Sequence, residues 1–143
     1  MIPGTAAISS DIDTLASIYK GRGCRRPGGY SFAELRIGLE NFSRFLARYD
    51  AKATLFMVGS DFLIETNHAP IRAAAAEGHE IANHSMNHVQ GFRMLSVAEK
   101  EAEIAGMEDV CKSTIGVAPV GFRSPGWNIA DDVLPILKRR GYR

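Results

Sequence analysis

Residues 31–59 read SFAELRIGLENFSRFLARYDAKATLFMVG, and their pattern sets the fold class. The stretch up to Asp50 is the clearest helix of the chain. Ser31 and Glu34 stand at the spacing of a capping box. Phe32, Leu35, Leu39, Phe42, Leu46 and Tyr49 then recur at steps of three and four, which lays one apolar stripe along the helix. ATLFMVG (53–59) is a continuous apolar run stopped by Gly59. A strand that is apolar at every position is covered on both faces, the condition of a parallel sheet with helices outside it.

The same alternation extends in both directions. TAAISS (5–10) is a short apolar run ending in acids and reads as a buried first strand. Residues 14–30 read as a long connection, rich in glycine and arginine from Lys20 onward. Pro70 suits the first turn of a helix carrying Ala73–Ala76, with Gly78 as its stop, and HEIANH (79–84) follows as a third strand. Ser96 and Glu99 make a second capping box, opening a helix to about Thr114. Val120–Phe122 reads as a fourth strand. Asp131 or Asp132 begins a last helix that carries Leu134 and Leu137 and has a basic end at Lys138–Arg140 suited to a helix C-terminus. This order predicts α/β architecture with parallel strands, as a barrel or an open sheet, with chemistry where strands end and loops begin.

Composition is that of one globular domain over residues 1–143, at 45% hydrophobic and 23% charged, and the net charge of +1 gives no reason to expect nucleic acid as a partner. Arg22, Arg25 and Arg26 form the densest basic cluster, either a solvated loop or a contact for an anionic substrate group. No segment has the length and apolarity of a membrane span. Cys24 and Cys111 match no zinc or redox spacing and read as free thiols of a reducing compartment. MIPGTAAISS lacks the basic and long apolar regions of a secretory signal, so the expected location is cytoplasmic.

Three groups of chemistry-bearing residues fall at predicted strand ends. In SSDID, Asp11 and Asp13 are two apart, and an extended backbone would turn both carboxylates to one side. The alternatives are a polar turn, or Asp13 as a helix cap. In NHSMNH (83–88), His84 and His88 are four apart, and a helical turn would stack both imidazoles on one face. Two surface histidines in a loop is the alternative. An Asp with two His is a recurring ligand set for a catalytic divalent metal, zinc first, with cobalt, nickel or another divalent ion also suited. In GFRSPGW (121–127), Pro125 and Gly126 make a stiff turn, Arg123 supplies a planar multi-donor cation and Trp127 an apolar wall. A surface turn with a half-buried Trp competes with that reading.

Asp11-Ile12-Asp13, His84-Ser85-Met86-Asn87-His88 and Arg123-Ser124-Pro125-Gly126-Trp127, in that order, resemble the three leading motifs of the polysaccharide deacetylase family. The resemblance implies a distorted (β/α) barrel. It implies a metal-dependent hydrolase that removes an acetyl or formyl group from the amide nitrogen of an amino sugar, in a glycan or a lipid-linked saccharide. Carried over by motif, Asp13, His84 and His88 would be metal ligands and Asp11 the general base. Arg123 would orient Asp11, and Trp127 with Pro125 would line the substrate pocket. The D-x-D spacing departs from the adjacent aspartates of most members. It is similar to the branch containing a peptidoglycan-associated deacetylase-like group and the deformylase of lipid-linked aminoarabinose.

The family also carries a downstream histidine that serves as general acid, and no histidine follows His88. The 143 residues are therefore expected to be the N-terminal part of a longer deacetylase domain. The incomplete barrel would leave an open sheet edge inviting a second copy. His68, on a loop, and His79, read as structural, do not match the missing motif. Two other functions fit less of the pattern: a non-catalytic carbohydrate-binding or vestigial domain of the same fold, and a C–N hydrolase of a small ureide or cyclic amide.

Overall fold

The computed structural model describes residues 6–25 and 33–143. Three parallel strands, β1 (Ser9–Ile12), β2 (Thr54–Met57) and β3 (Glu80–Asn83), lie side by side in that order. The register pairs Asp11 with Phe56 and Met57 with Asn83. Helices occupy the connections: α1 (Leu15–Gly21), α2 (Ala33–Ala47), α3 (Gly59–Phe62), α4 (His68–Ala76), α5 (Val97–Ile115) and α6 (Val133–Arg139). Parallel strands need such crossovers.

The central strand is buried on both sides, as its apolar run predicts: Leu55 and Met57 have no exposure and Phe56 very little. Leu35, Leu39 and Leu46 of α2, Ile71 and Ala74 of α4, and Met107 and Cys111 of α5 close the main core around it. A smaller core of Phe92, Ile104, Val133 and Ile136 joins α5 to α6. The α5 start is a complete capping box, in which the Ser96 hydroxyl accepts from Glu99 N–H and the Glu99 carboxylate accepts from Ser96 N–H. Pro70 lies in the first turn of α4, and Gly78, at φ +90°, takes the left-handed conformation that ends it. The Ser31 capping box, Phe32 and Arg26 lie outside the described residues.

The structure corrects several sequence expectations. The first strand begins four residues later than TAAISS and includes Asp11, so the acid sits on the sheet rather than past it. Residues 15–21, read as connection, form a helix capped by Thr14. Helix α2 stops at Ala47, and Tyr49 lies outside the stripe, exposed and against the Phe45 ring. The fourth strand contracts to one parallel bridge, Asn83 to Phe122, held by Asn83 N–H to the Gly121 carbonyl and Arg123 N–H to the Asn83 carbonyl. Proline and glycine at 119 and 121 flank Val120, and Ser124-Pro125 turns the chain away, so no ladder propagates. On α6, Val133 and Ile136 are buried and Leu137 packs against them, while Leu134 is exposed.

Candidate metal centre

The centre is assembled from the C-terminal ends of β1 and β3 and from the bridge at Phe122. Strand β1 delivers Asp11 from its third residue and Asp13 just past its end. Both carboxylates reach the same imidazole: His84 Nε2 lies 3.6 Å from Asp13 Oδ1 and 3.9 Å from Asp11 Oδ2. The expectation that residues two apart would face one side therefore holds here.

The histidine segment is not a helical turn. It is a loop with two non-glycine residues in the left-handed region, Ser85 (φ 65°) and His88 (φ 53°), and local bonds hold them there. Buried Asn83 accepts the Ser85 N–H with Oδ1 (2.8 Å) and donates Nδ2 to the Ile104 carbonyl and the Tyr142 hydroxyl. Ser85 Oγ accepts the His88 N–H (3.0 Å). The first two amides of α3 donate to the Ser85 and Met86 carbonyls, at 2.9 and 2.7 Å. From α5, Glu103 accepts both the Asn87 N–H (2.8 Å) and its side-chain amide (2.6 Å). The rings of His84 and His88 are brought to 5.1 Å between centroids.

The tautomer of His84 follows from its partners. Nδ1 lies 2.7 Å from the Arg123 carbonyl, which can only accept, so Nδ1 carries the proton and Nε2 presents a lone pair. That Nε2 is buried and has no hydrogen-bond partner among the described residues, yet it faces two carboxylates. A lone pair against anionic oxygens is unfavourable unless a cation lies between them. His88 Nε2 stands 3.4 Å from Asp13 Oδ2. The Gln90 side-chain amide nitrogen lies 3.4 Å from His88 Nδ1, on the side of the ring away from Asp13.

Ligand atoms of Asp13, His84 and His88 all lie within 4.8 Å of one another. Atoms bound at roughly 2.0–2.1 Å to a tetrahedral ion stand about 3.4 Å apart, so the three residues fit one divalent ion with little movement. Burial depresses the His84 imidazole more than the Arg123 carbonyl and the two aspartates raise it, which keeps it neutral and able to ligate. Burial raises the Asp13 carboxyl, but in the metal-free protein the protonated forms of His88, by hydrogen bond and charge, and of His84, by charge, outweigh that and bring it below its usual range.

Arg123 serves the centre twice. Its backbone carbonyl fixes His84, and its guanidinium donates to Asp11 Oδ1 (2.5 Å) and to Ser9 Oγ (2.8 Å). The guanidinium is held between the rings of Phe56 (3.9 Å) and Trp127 (4.6 Å). Pro125 is buried at the head of a short turn, and Gly126 and Trp127, both at positive φ, carry the indole back over the guanidinium with 73% exposure. Asp11, Asp13, His84, His88, Arg123 and Trp127 thus come to one place. Arg22 and Arg25 are exposed and no described contact joins them to it. His79 accepts the Ala53 N–H and His68 donates to the Phe62 carbonyl, both structural roles. Cys24 is an exposed thiol and Cys111 a buried one, pushed up to about 12 by burial.

Sequence reasoning missed the residues that hold the loops. Thr14, Asp61, Asn83 and Glu103 carry no motif of their own. Gly21 and Gly59 are needed for close approach: a Cβ on Gly21 would sit 2.0 Å from the His88 carbonyl oxygen, and one on Gly59 2.5 Å from Met86 Sδ.

Known proteins resemble this chain in sequence and in fold. Residues 37–143 match the polysaccharide deacetylase family, a span that holds His84, His88 and Arg123 and begins after the two aspartates. A peptidoglycan-N-acetylglucosamine deacetylase from Bacillus cereus is 36% identical over 99 residues, covering 68% of this chain and 44% of that protein. The chain thus spans less than half of that relative's length. A putative polysaccharide deacetylase from Mycobacterium smegmatis superposes with a TM-score of 0.82 at 23% identity, covering 95% of this chain and 48% of that one. A family 4 carbohydrate esterase from Streptomyces lividans, solved with acetate, gives 0.73 at 19% identity, covering 98% and 60%. The fold is therefore the α/β fold of these proteins, with parallel strands forming part of a (β/α) barrel. The match over most of the chain, with the histidine and arginine motifs inside it, makes this chain a member of the polysaccharide deacetylase family.

Proposed function

We propose that the protein is a metal-dependent hydrolase that removes an acetyl or formyl group from the amide nitrogen of an amino sugar. The observation that carries this reading is the buried His84 Nε2 lone pair, without a hydrogen bond, facing Asp13 and Asp11 beside His88. Asp13, His84 and His88 would hold one divalent ion, with zinc favoured by the mixed nitrogen and carboxylate donors. Such an ion, when bound, supplies Lewis-acid polarisation and makes a water nucleophilic near neutral pH.

The residues of this chain divide the remaining work. Asp11 has one oxygen engaged by Arg123, so Oδ2, the one nearer His84, is the oxygen left to take a proton from the attacking water. Arg123 holds that carboxylate in place through its hydrogen bond to Oδ1, and its contacts with the Phe56 and Trp127 rings restrict its own motion. The exposed indole of Trp127 offers an apolar face to a sugar ring beside Asp11. Water oxygen bonds to the acyl carbon, the C–N bond breaks, and the products are a carboxylate and a free amine. The proton that the amine nitrogen gains as it leaves balances the one that Asp11 takes from water.

The name of the Bacillus cereus relative makes an N-acetylglucosamine oligomer the first substrate to try. The test is acetate release by the zinc- or cobalt-loaded protein, with and without chelator. Chelator-sensitive release supports the reading. Sugar binding with no acetate or formate released by a metal-loaded protein would assign it instead to a non-catalytic carbohydrate-binding module.

A further inference from the structure

Helix α3 is short, but it touches both halves of the metal centre. Its first two amides bind the Ser85 and Met86 carbonyls of the histidine loop. Its third residue, Asp61, is 1% exposed and accepts the Thr14 hydroxyl with Oδ1 at 2.6 Å, while Oδ2 is buried with no hydrogen bond among the described residues. A buried carboxylate with one satisfied oxygen is an unfavourable group to keep. Among the described residues its side-chain hydrogen-bond partner is Thr14, the residue next to Asp13.

Thr14 is held at every polar atom used in the turn from β1 to α1. Its Oγ1 accepts the Ser17 N–H (3.1 Å), and its carbonyl accepts the Ser17 hydroxyl (2.9 Å) and the Ile18 N–H (3.0 Å). Its own proton goes to Asp61 Oδ1 at 2.6 Å, a much shorter contact than the 3.3 Å to Ser17 Oγ. Asp61 is itself fixed, since its carbonyl accepts the buried Asn67 side-chain amide at 2.8 Å.

We propose that Asp61 is a positioning residue of the metal centre: through Thr14 it sets Asp13 in register with the histidine loop that the same helix grips. This rests on the reading of Asp13, His84 and His88 as metal ligands. Outer partners that orient metal ligands are commonly worth about 10- to 100-fold in affinity.

The test is cobalt(II) titration of the purified protein, read by calorimetry and by the visible absorption of the bound ion. Wild type is compared with Asp61→Ala, Asp61→Asn, Thr14→Val and Thr14→Ser. The expected result is a loss of about 10- to 100-fold in cobalt affinity, with an altered spectrum, in Asp61→Ala and Thr14→Val. Asp61→Asn and Thr14→Ser keep an acceptor and a hydroxyl, and should return to near wild type. Ile136→Ala, in the second core, destabilises without touching the centre and should keep cobalt affinity once folded. Thr14→Val carries the test if Asp61→Ala does not fold. Wild-type affinity and spectrum in the folded Ala and Val variants would overturn the inference alone. A wild type that takes up no cobalt would overturn the metal reading on which it stands.

Discussion

Gly21→Ala adds one methyl group and sets two effects against each other. Gly21 is the last residue of α1, and in a free helix alanine is better than glycine by about 1 kcal/mol. In this structure the new Cβ would lie 2.0 Å from the His88 carbonyl oxygen, 2.9 Å from its carbonyl carbon and 3.3 Å from its Nδ1. An ordinary carbon–oxygen contact is at least about 3.2 Å, so α1 and the His88 backbone must separate by about 1 Å. That exceeds the roughly 0.5 Å within which a site must be held. The contact is with main chain, so no side-chain rotation relieves it, and overpacking of this kind costs about 1–3 kcal/mol. The Gly21 carbonyl also accepts the Gln90 N–H, so the displacement is shared by the residues following His88. The clash should therefore outweigh the helix preference. Chemical denaturation should show Gly21→Ala less stable by up to about 2 kcal/mol, and cobalt titration should show at least a tenfold weaker site. A variant as stable as wild type or more so, with unchanged cobalt affinity, would refute the packing of α1 on the metal loop.

Arg123→Met removes the donors to Asp11 and Ser9 but leaves the carbonyl that fixes His84, so the variant should keep its metal and lose turnover by about 100-fold; parallel metal content and acetate release check this, and loss of metal in step with activity would contradict it. Burial pushes Asp61 in the metal-free protein up to about 6. The folded state therefore holds that proton more tightly than the unfolded chain, and stability contributed by the protonated form is lost as pH rises from about 4 through about 6. Asp61→Asn cannot lose it, so its stability advantage over wild type should grow across that window by up to about 3 kcal/mol, measured by urea unfolding of both proteins at pH 4 and pH 7 with chelator; a difference independent of pH would refute the burial argument.

The parts of the fold legible in the sequence were those where periodicity or capping chemistry acts alone. Leu35, Leu39 and Leu46 mark α2, the unbroken run 53–58 marks a doubly covered strand, and Ser96 with Glu99 marks α5. Helix α1 was missed because it packs through Ser17 and Gly21, which leave no apolar stripe to read. Helix α3 was hidden because its role is to donate amides to another loop, a contact between residues far apart in sequence. The spacing of His84 and His88 suggested a helical turn. The structure reaches a similar juxtaposition through two left-handed residues, stabilised by Asn83, Ser85 and Glu103. Motif residues were therefore found and their supports were not, because supports are defined by tertiary contacts.

The most direct test of the account is the metal content of the purified chain after loading with zinc or cobalt, alongside Asp13→Ala and His88→Ala. One divalent ion per chain, lost in both variants, is the expected result. A folded wild-type chain that binds no ion, or an ion retained by both variants, would contradict the assignment of Asp13, His84 and His88 as one metal centre.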